Sequence, residues 1–311
     1  MCKLKSGLLF KNGVFVPDYD SHDKMLREKC IEDTAENRIA GKFVRFELSP
    51  ENDDPFVPID MWVFKIDQDE LPEWIKSDPE KYEAMARAAV KEWAEKHIFI
   101  GIDKLNLTDG SGYYLKDCTN VTLSGSSTVQ DMSGSSTVQD MSGSSTVQDM
   151  WDSSTVRNMW DRSTVQNMWG SSTVQDMSGS STVQDMWDSS TVQDMWGSST
   201  VQDMWGSSTV RNMRDRSTVR NMRDSSTVRN MWGSSTVRNM RGSSTVQNMR
   251  DRSTVQDMSG SSTVQIAENL SKGVNVKTII LSQNAIIKDC RTKTLYAVGD
   301  WKLSIKEESD A

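Results

Sequence analysis

Histidine and cysteine are scarce in this 311-residue chain, and long apolar runs are missing, which limits the functional classes to which the protein can belong. It has only two histidines, and its four cysteines are scattered, without a CxxC pair, so a zinc site is not expected. No run approaches the about 18 apolar residues that span a membrane, and no secretory signal opens the chain. We therefore expect no cofactor, no metal and no membrane partner, and a cytoplasmic location, with association with a phage particle as the alternative.

The chain is rich in one nine-residue phrase, which repeats from Ser124 to Gln265. The phrase reads Ser-Gly-Ser-Ser-Thr-Val-Gln-Asp-Met, with variants such as Trp-Asp-Arg-Ser-Thr-Val-Gln-Asn-Met. Valine recurs at every ninth position from Val129 to Val264, sixteen times, and methionine recurs fifteen times from Met132 to Met258. A fixed period of this kind is typical of a solenoid, in which each unit buries its apolar face against its neighbours.

The period excludes regular helix and uninterrupted strand. Nine helical residues turn through about 900°, which places each valine opposite the previous one, and an odd period also reverses the face of a strand at each repeat. A coil that turns once per repeat fits. We expect Ser-Thr-Val-Gln to form the strand, with valine inward and Thr and Gln or Arg outward. Asp or Asn and the Gly/Asp-Ser step form the bends, and methionine fills the core beyond the bend.

Two repeats per coil are the preferred arrangement, because Val and Met fill only a thin core. Eight coils at about 4.8 Å then form a rod about 40 Å long. Three repeats per coil, as a triangular prism, are the alternative geometry. A disordered low-complexity tract is the competing interpretation, which the unbroken Val and Met columns oppose.

The predicted fold class is mainly β, a parallel β-solenoid (β-helix or β-roll) with an α+β N-terminal capping domain. The predicted boundaries are 1–112 for the N-terminal domain, 113–265 for the solenoid and 266–311 for a C-terminal β cap. In the first domain we expect a hairpin around Asn12-Gly13, a helix at 21–30 and strands at 43–48 and 61–66. We also expect a helix at 78–96 that begins at an Asp78 N-cap. In the cap we expect strands near 279–281, 285–287, 295–298 and 301–303.

The N-terminal domain holds two polar clusters that would bind a divalent cation or supply acid–base groups if they met. The alternative is a solvated turn and a helix N-cap. His97 is expected as a cation at a helix C-terminus. The cluster residues are Asp18, Asp20, His22 and Asp23, and Asp67, Gln68, Asp69 and Glu70.

The repeats themselves offer no catalytic constellation, because they contain no His, Cys or Glu. They lack the Gly-Gly-x-Gly-x-Asp turn of calcium-binding nonapeptide rolls. The threonine column from Thr128 to Thr263 suggests ice binding, but Gln, Arg and Asp flank it, and threonine is also simply a good strand residue.

Four columns of the repeat vary, and two of them supply the candidate binding residues. Tryptophan follows methionine at seven positions: Trp151, Trp160, Trp169, Trp187, Trp196, Trp205 and Trp232. Arginine takes that position at Arg214, Arg223, Arg241 and Arg250. Arginine also follows valine at Arg157, Arg211, Arg220, Arg229 and Arg238, and the next residue is then always Asn. We expect the tryptophans to stack down the first half, and Trp232 to make cation–π contact.

Charge segregates along the repeats. Residues 123–209 hold ten Asp and two Arg, a net charge of −8, whereas residues 210–258 hold ten Arg and four Asp, a net charge of +6. Two binding hypotheses follow: self-association, with the acidic half of one rod against the basic half of another, and binding of a polyanion or nucleic acid along an arginine ladder. Duplication followed by drift would also produce such a pattern. A DNA-mimic rod suits only the acidic half.

The Ser-Ser-Thr-Val-x-x-Met-Trp-Asp tract resembles the short-tandem-repeat β-solenoid proteins encoded in bacterial and phage genomes. The segments 113–118 (Tyr-Tyr-Leu-Lys-Asp-Cys) and 67–69 (Asp-Gln-Asp) are similar to such proteins as well. Their commoner repeat has eight residues, Asp-Ser-Ser-Thr-Val-x-Ala-Tyr, whereas this chain has methionine and one more residue. The resemblance implies no established activity. We expect a structural or binding element, and the enzyme alternative is a catalytic N-terminal domain with the solenoid as its spacer.

Overall fold

The computed structural model describes residues 5–266, 280–281, 284–290 and 293–297, which form two compact units. The first unit extends to Gly101 and includes residues 111–116, and the second comprises 102–110 and the residues from Asp117 onward. The predicted strand at 301–303, Ile279 of the 279–281 strand and Val298 of the 295–298 strand lie outside the described residues.

The first unit contains four helices and six strands among its described residues. The strands are β1 (Lys5–Phe10), β2 (Gly13–Phe15), β3 (Val44–Ser49), β4 (Val63–Ile66) and β5 (Ile98–Ile100); β6 (Asp103–Thr108) belongs to the second unit, and β7 (Tyr113–Lys116) to the first. The helices are α1 (His22–Glu28), α2 (Ala35–Ile39), α3 (Glu73–Ser77) and α4 (Pro79–His97), with 3-10 turns at Glu51–Asp53 and Ile59–Met61.

Most of the predicted elements of this unit are confirmed, but the strand predicted at 61–66 begins only at Val63, because residues Ile59–Met61 form a 3-10 turn. The hairpin pairs Phe10 with Gly13, and the antiparallel sheet runs in the order β2-β1-β3-β4. Ser21 caps α1 by accepting the Lys24 N–H, and Asp78 caps α4 by accepting the Lys81 N–H at 3.2 Å. Each cap satisfies a backbone donor that the first helical turn leaves without an intrahelical partner. Helices α2 and α3 were not predicted.

Alternation along β1 gives the sheet two apolar faces. Leu9 lies in one core with Trp62, Val90 and Trp93, and α4 contributes much of this cluster. Leu8 faces the other way and packs with Met25 and Leu26 of α1. Helices therefore cover both sides of this small sheet, as its two-residue alternation requires.

The second unit is built almost entirely of short strands. They are β8 (Thr119–Ser124), β9 (Thr128–Ser133), β10 (Thr137–Met141), β11 (Thr146–Met150), β12 (Thr155–Met159), β13 (Thr164–Met168), β14 (Thr173–Met177), β15 (Thr182–Met186), β16 (Thr191–Met195), β17 (Thr200–Met204), β18 (Thr209–Met213), β19 (Thr218–Met222), β20 (Thr227–Met231), β21 (Thr236–Met240), β22 (Thr245–Met249), β23 (Thr254–Met258), β24 (Thr263–Ile266), β25 (Ile280–Leu281), β26 (Ile286–Asp289) and β27 (Thr294–Ala297).

Two repeats make one coil, as predicted. Each strand pairs in parallel with the strand two repeats away, so Val147 lies beside Val165 and Met150 beside Met168. The even-numbered strands from β6 to β26, together with β27, form the first sheet; the odd-numbered strands from β9 to β25 lie in the second sheet. The result is a parallel β-solenoid of about nine turns. Every residue of the repeats therefore has its nearest coil neighbour eighteen positions away.

The composition of the strand differs from the prediction. Methionine lies at the end of the strand rather than beyond the bend, and Asp or Asn lies inside the strand. Val147 and Met150 are both buried although they stand three positions apart, and the two residues between them face outward. The backbone ladder skips the glutamine position between them. This irregularity breaks the two-residue alternation and brings both apolar columns into one core.

Serine forms a third core column that sequence reasoning missed. The serine before each threonine, from Ser127 to Ser262, has no solvent exposure. Some of these hydroxyls donate to the carbonyl three residues earlier, as Ser163 does to Trp160 at 2.9 Å. Others, such as that of Ser190, have no hydrogen-bond partner among the described residues.

The bends require a left-handed backbone at one position, which is always Gly or Asp. Gly170 has φ +65° and Asp188 has φ 56°, and Asp is one of the residue types that tolerate this region. Each aspartate here accepts the N–H of the glycine one coil earlier, as Asp188 does from Gly170 at 3.2 Å. The six pairs are 152 with 134, 161 with 143, 188 with 170, 215 with 197, 224 with 206, and 251 with 233.

At the C-terminal end of the repeats, the described strands continue both sheets. β25 pairs with β23 and β26 with β24, both in parallel, and β27 then pairs antiparallel with β26. The predicted strands near 285–287 and 295–298 therefore correspond to β26 and β27. The antiparallel strand ends the parallel stack of the first sheet and covers the edge of β26.

The two kinds of buried serine predict opposite responses to alanine. We expect Ser163→Ala to lower the free energy of unfolding by about 1 kcal/mol, because a buried hydrogen bond to the Trp160 carbonyl is lost. Ser190→Ala should be neutral or stabilising, because the hydroxyl it removes is buried without a partner among the described residues. Denaturant unfolding followed by circular dichroism measures both. Equal losses in the two variants would contradict this assignment.

Candidate functional site

The two-repeat coil divides each sequence column between opposite sides of the solenoid. Bends that follow strands of the second sheet form what we call the tryptophan edge, and bends that follow strands of the first sheet form the mixed edge. Along the tryptophan edge lie Trp151, Trp169, Trp187, Trp205, Arg223 and Arg241; along the mixed edge lie Trp160, Ser178, Trp196, Arg214, Trp232 and Arg250.

On the tryptophan edge the four indoles form a continuous stack. Successive ring centroids from Trp151 to Trp205 lie 5.4, 5.1 and 5.0 Å apart, with interplanar angles of 9° or less. The Arg223 guanidinium lies over the Trp205 ring, 4.0 Å from its centroid. The predicted stacking of tryptophans is thus confirmed for these four residues, but their inner ring faces are covered by one another. An external ring has no access to those faces.

On the mixed edge the indoles do not touch one another. The Arg214 guanidinium lies between two of them, 4.1 Å from the Trp196 centroid and 4.9 Å from the Trp232 centroid. The predicted cation–π contact of Trp232 is therefore confirmed. Trp160 has serine on both sides, at Ser142 and Ser178, and its side chain is 50% exposed. The mixed edge consequently presents accessible ring faces.

A cleft of about 250 Å³ opens beside Ser178 on this edge. Trp160 and Trp196 form its two walls. Its other lining residues are Asn158, Met159, Asp176 and Ser178. The Asp176 carboxylate accepts a hydrogen bond from the Trp196 side chain. The cleft thus combines two aromatic walls with one carboxylate.

The arginines that follow valine do not form one ladder. Arg211 and Arg229 lie in adjacent coils of the first sheet, and Arg220 and Arg238 in adjacent coils of the second. All four side chains are exposed. Each face of the solenoid therefore carries a pair of neighbouring guanidinium groups at the same axial level, and the sequence column of arginines is split between two faces.

The Asp/Asn column forms hydrogen-bonded chains along each sheet where asparagine is present. Asn212 donates to Asp194 at 2.9 Å, Asn230 to Asn212 at 2.9 Å, and Asn248 to Asn230 at 3.0 Å. The second sheet repeats the pattern, with Asn221 on Asp203. An amide both donates and accepts, so it continues such a chain along the stack.

Where aspartate stacks on aspartate, the carboxylates repel. Burial and the charge of Asp194 raise the pKa of Asp176, against the effect of its hydrogen bond with Trp196. Burial and the charge of Asp203 raise the pKa of Asp185 in the second sheet. Like charges about 4.8 Å apart disfavour the ionised form of each group. Both faces of the acidic half therefore hold destabilised negative charge.

The structure brings together only part of the polar clusters of the first unit. His22 Nδ1 lies 3.3 Å from Asp67 Oδ2, and Glu47, which sequence reasoning missed, offers a carboxylate oxygen within 4.8 Å of both. His22 is buried, and its Nε2 contacts the Phe46 carbonyl oxygen at 3.2 Å. One imidazole and two carboxylates are ligand types that divalent transition metals take.

Two other members of these clusters, Asp20 and Gln68, make structural contacts. Asp20 accepts from the buried Lys5 ammonium at 2.8 Å and from the Ser6 N–H. Burial lowers the pKa of Lys5, and the Asp20 carboxylate opposes that effect. The Gln68 side chain accepts the Arg45 N–H and donates to the Glu70 carbonyl. These groups hold β1, β3 and the loop after β4 in place.

His97 lies at the C-terminal end of α4, as predicted. Its Nδ1 is 2.7 Å from the Trp93 carbonyl oxygen, and its Nε2 is 3.3 Å from the Asp18 carboxylate. The ring stacks on Trp93 with centroids 4.6 Å apart. Both ring nitrogens thus lie beside oxygen acceptors at the C-terminal end of the helix.

Searches of protein families, of curated proteins and of solved structures found no match to this chain. The resemblance to short-repeat solenoid proteins of bacterial and phage genomes therefore stays a prediction. Among the described helices, none is long and apolar enough to cross a membrane. Of the four cysteines, Cys2 lies outside the described residues, Cys30 is exposed, Cys118 is buried and Cys290 is partly exposed.

The stacked carboxylates predict a pH-dependent gain from Asp203→Asn. The substitution removes the charge beside Asp185. The new amide lies one coil after Asp185 and can donate to it, as Asn221 donates to Asp203 and Asn167 donates to Asp149. We expect about 1 kcal/mol of added stability at pH 7 from the new hydrogen bond.

The sign of the pH dependence follows from the raised pKa of Asp185. Above its ordinary value of 3.8, the native state holds more protons than the unfolded state, so stability falls as pH rises through that window. Asp203→Asn should lessen this fall in denaturant midpoints measured from pH 4 to pH 7. Asp257→Asn is the matched control, because Asn239 is its neighbour on one side and the Ile280 backbone on the other. The control gains a similar amide hydrogen bond, to Asn239, but removes no repulsion between carboxylates, so it should leave the pH dependence unchanged. An equal lessening of the pH-dependent fall in the control would contradict the prediction.

Proposed function

We propose that the solenoid is a non-catalytic structural element that self-associates. Two copies lie side by side with opposite axial directions, so that the acidic half of each meets the basic half of the other. The order of charges on the outer face of the first sheet is the observation that carries this proposal: Asp176 and Asp194 lie on β14 and β16, and Arg211 and Arg229 follow on β18 and β20.

Antiparallel packing of this face aligns opposite charges strand by strand. A two-fold axis between β16 and β18 sets β18 of the second copy against β16, and β20 against β14. Arg211 then faces the strand of Asp194, and Arg229 faces the strand of Asp176. Each pairing occurs twice in the dimer, because a two-fold interface is self-complementary. The repulsion between stacked carboxylates would decrease when guanidinium groups approach them.

The first-sheet face is preferred to the second because the mixed edge follows directly from the ends of its strands, and the cleft is lined by Asn158 of β12 and Asp176 of β14. Trp160 and Trp196 on the mixed edge are 50% and 37% exposed. On the tryptophan edge the end of the stack, Trp151, is 40% exposed, whereas Trp169, Trp187 and Trp205 are largely covered by stacking. Eight coils of five-residue strands present roughly 630 Å² of face, somewhat below the about 800 Å² per partner of a standard interface. Exposed indoles add the apolar area that charge alone does not provide.

Binding of a nucleic acid or another polyanion is less well supported. A phosphate chain needs a continuous track of cations, but the face arginines come in pairs on opposite sides of the solenoid. Ice binding is disfavoured in the same way, because the threonine column is divided between the two sheets. The enzyme hypothesis stays a prediction, with His22, Glu47 and Asp67 as the residues to test.

Charge-swapped variants test the proposed pairing. One variant carries Arg211→Asp and Arg229→Asp, so both of its halves are acidic on this face; the other carries Asp176→Arg and Asp194→Arg, so both are basic. We expect the wild-type dimer to dissociate as salt rises, and each variant alone to be monomeric, in sedimentation velocity experiments. An equimolar mixture of the two variants should restore the dimer, because both contacts become complementary.

The matched control places the same arginine substitutions on the other face. Arg220→Asp with Arg238→Asp changes the net charge equally but leaves the first-sheet face intact, and should preserve the dimer. A monomeric wild-type chain at all salt concentrations would overturn the proposal. Sedimentation of the chain together with material that absorbs at 260 nm, and that dissociates at high salt, would instead support polyanion binding.

A further inference from the structure

The mixed edge contains one complete example of a guanidinium clamp. Trp196 and Trp232 stand 36 positions apart, which is two coils, and the Arg214 guanidinium fills the space between their rings. Two coils separate the ring planes by about 9–10 Å, which is the room one planar group needs between two aromatic faces. The chain thus shows what this spacing of indoles accommodates.

The same spacing of two tryptophans occurs two coils earlier on this edge, but there the central position holds a small side chain that leaves the space between the rings open. Trp160 and Trp196 are also 36 positions apart, and Ser178 stands where Arg214 stands in the filled clamp. The cleft of about 250 Å³ described above occupies this place. Trp196 serves both clamps, because Arg214 covers one side of its ring and the cleft borders the other.

We propose that the cleft between Trp160 and Trp196 binds a guanidinium group, supplied by an arginine side chain of a second copy. This inference rests on the proposed self-association and assigns the contact at which it is anchored. The cleft lies in the acidic half, which antiparallel packing sets against the arginine-rich half of the second copy. The exposed arginines of that half supply the group.

The chemistry of the cleft selects guanidinium over other cations. A planar, weakly hydrated group stacks on both indoles, whereas a lysine ammonium is compact and strongly hydrated. Asp176 in the wall supplies a carboxylate, the natural hydrogen-bond acceptor of a guanidinium. An uncharged aromatic ring would fit the width but leave that carboxylate without a cationic partner. The preference for arginine over lysine is therefore a specific property of this site.

The stack on the tryptophan edge suggests a substitution that would fill the cleft. Ser178→Trp places an indole between Trp160 and Trp196, which reproduces the stack of Trp169 between Trp151 and Trp187. It occupies the cleft without changing charge. Ser259→Trp, at the end of the tryptophan edge, is the matched control, since it adds an indole away from the cleft.

The first experiment is titration of the monomeric full-length chain with N-acetyl-L-arginine amide, followed by the indole N–H signals of Trp160 and Trp196 in nuclear magnetic resonance spectra. Trp160→Phe and Trp196→Phe assign the two signals. We expect saturable shifts of both, binding weaker by at least about tenfold for N-acetyl-L-lysine amide, and a loss of at least about tenfold in Ser178→Trp. Ser259→Trp should bind like the wild type.

The second experiment measures the dimer dissociation constant of the same variants by sedimentation. Ser178→Trp should weaken the dimer by at least about tenfold, and Ser259→Trp should not. No shift of either indole by the arginine probe would overturn the clamp even if the chain dimerises. Probe binding by a chain that stays monomeric would overturn both the second copy as the source and the proposed function. Equal binding of the lysine probe would overturn the selectivity.

Discussion

The stacking of each coil on the next, eighteen residues along the chain, is the constraint on which the rest of the structure depends. Backbone hydrogen bonds join every part of the repeat to the coil before it: strand to strand, Trp169 N–H to the Met150 carbonyl, and Ser171 N–H to the Asp152 carbonyl in the bend. This continuous pairing fixes the register of all columns together. A side chain in the repeats therefore interacts chiefly with the residue eighteen positions away.

That constraint explains which substitutions the repeat accommodates. In the bends, each of the six left-handed aspartates lies on a glycine of the preceding coil and accepts its N–H, and no aspartate lies on another. Asp152 and Asp161 are neighbours in the repeat order but belong to opposite edges. In the strands, asparagine extends a chain of amide hydrogen bonds, whereas Asp185 beside Asp203 is penalised by repulsion. Drift alone produces such substitutions, but the free energy of stacking determines which residue types can lie beside each other in adjacent coils.

Much of the fold could be predicted from the sequence, because the Val and Met columns report burial directly. The coil of two repeats, the inward valine, the hairpin at Asn12-Gly13, the helix that starts near Ser21 and the cap at Asp78 all follow from local rules. The methionine strand end and the buried serine column did not, because both depend on a break in strand alternation that no residue type signals. Serine is also a residue type that is more often exposed than buried.

The candidate site was predictable in its residues but not in their grouping. A column read at nine-residue spacing merges two surfaces, so Trp151 and Trp160 look adjacent although they lie on opposite edges. Reading the same column at eighteen gives Trp-Trp-Trp-Trp-Arg-Arg on one edge and Trp-Ser-Trp-Arg-Trp-Arg on the other. The first pattern fills its own stacking positions; the second leaves one position unfilled, at Ser178. The grouping of His22, Asp67 and Glu47 was beyond reach for another reason. Tertiary pairing of β3 with β4 brings Glu47 near Asp67, and His22 comes from the separate helix α1.

The charge of the solenoid changes from acidic to basic along its axis, and this arrangement affects assembly differently from a charged patch on one face. Both faces of the solenoid carry carboxylates in the earlier coils and guanidinium groups in the later ones, because the asymmetry lies along the stack rather than across it. Parallel alignment of two copies sets like charges together along their whole length, whereas antiparallel alignment pairs opposite charges on any face. Electrostatics therefore selects direction but not face. The face must be selected by a shorter-range feature. The cleft between Trp160 and Trp196 on the mixed edge is such a feature, because the tryptophan edge fills its stacking positions with its own side chains.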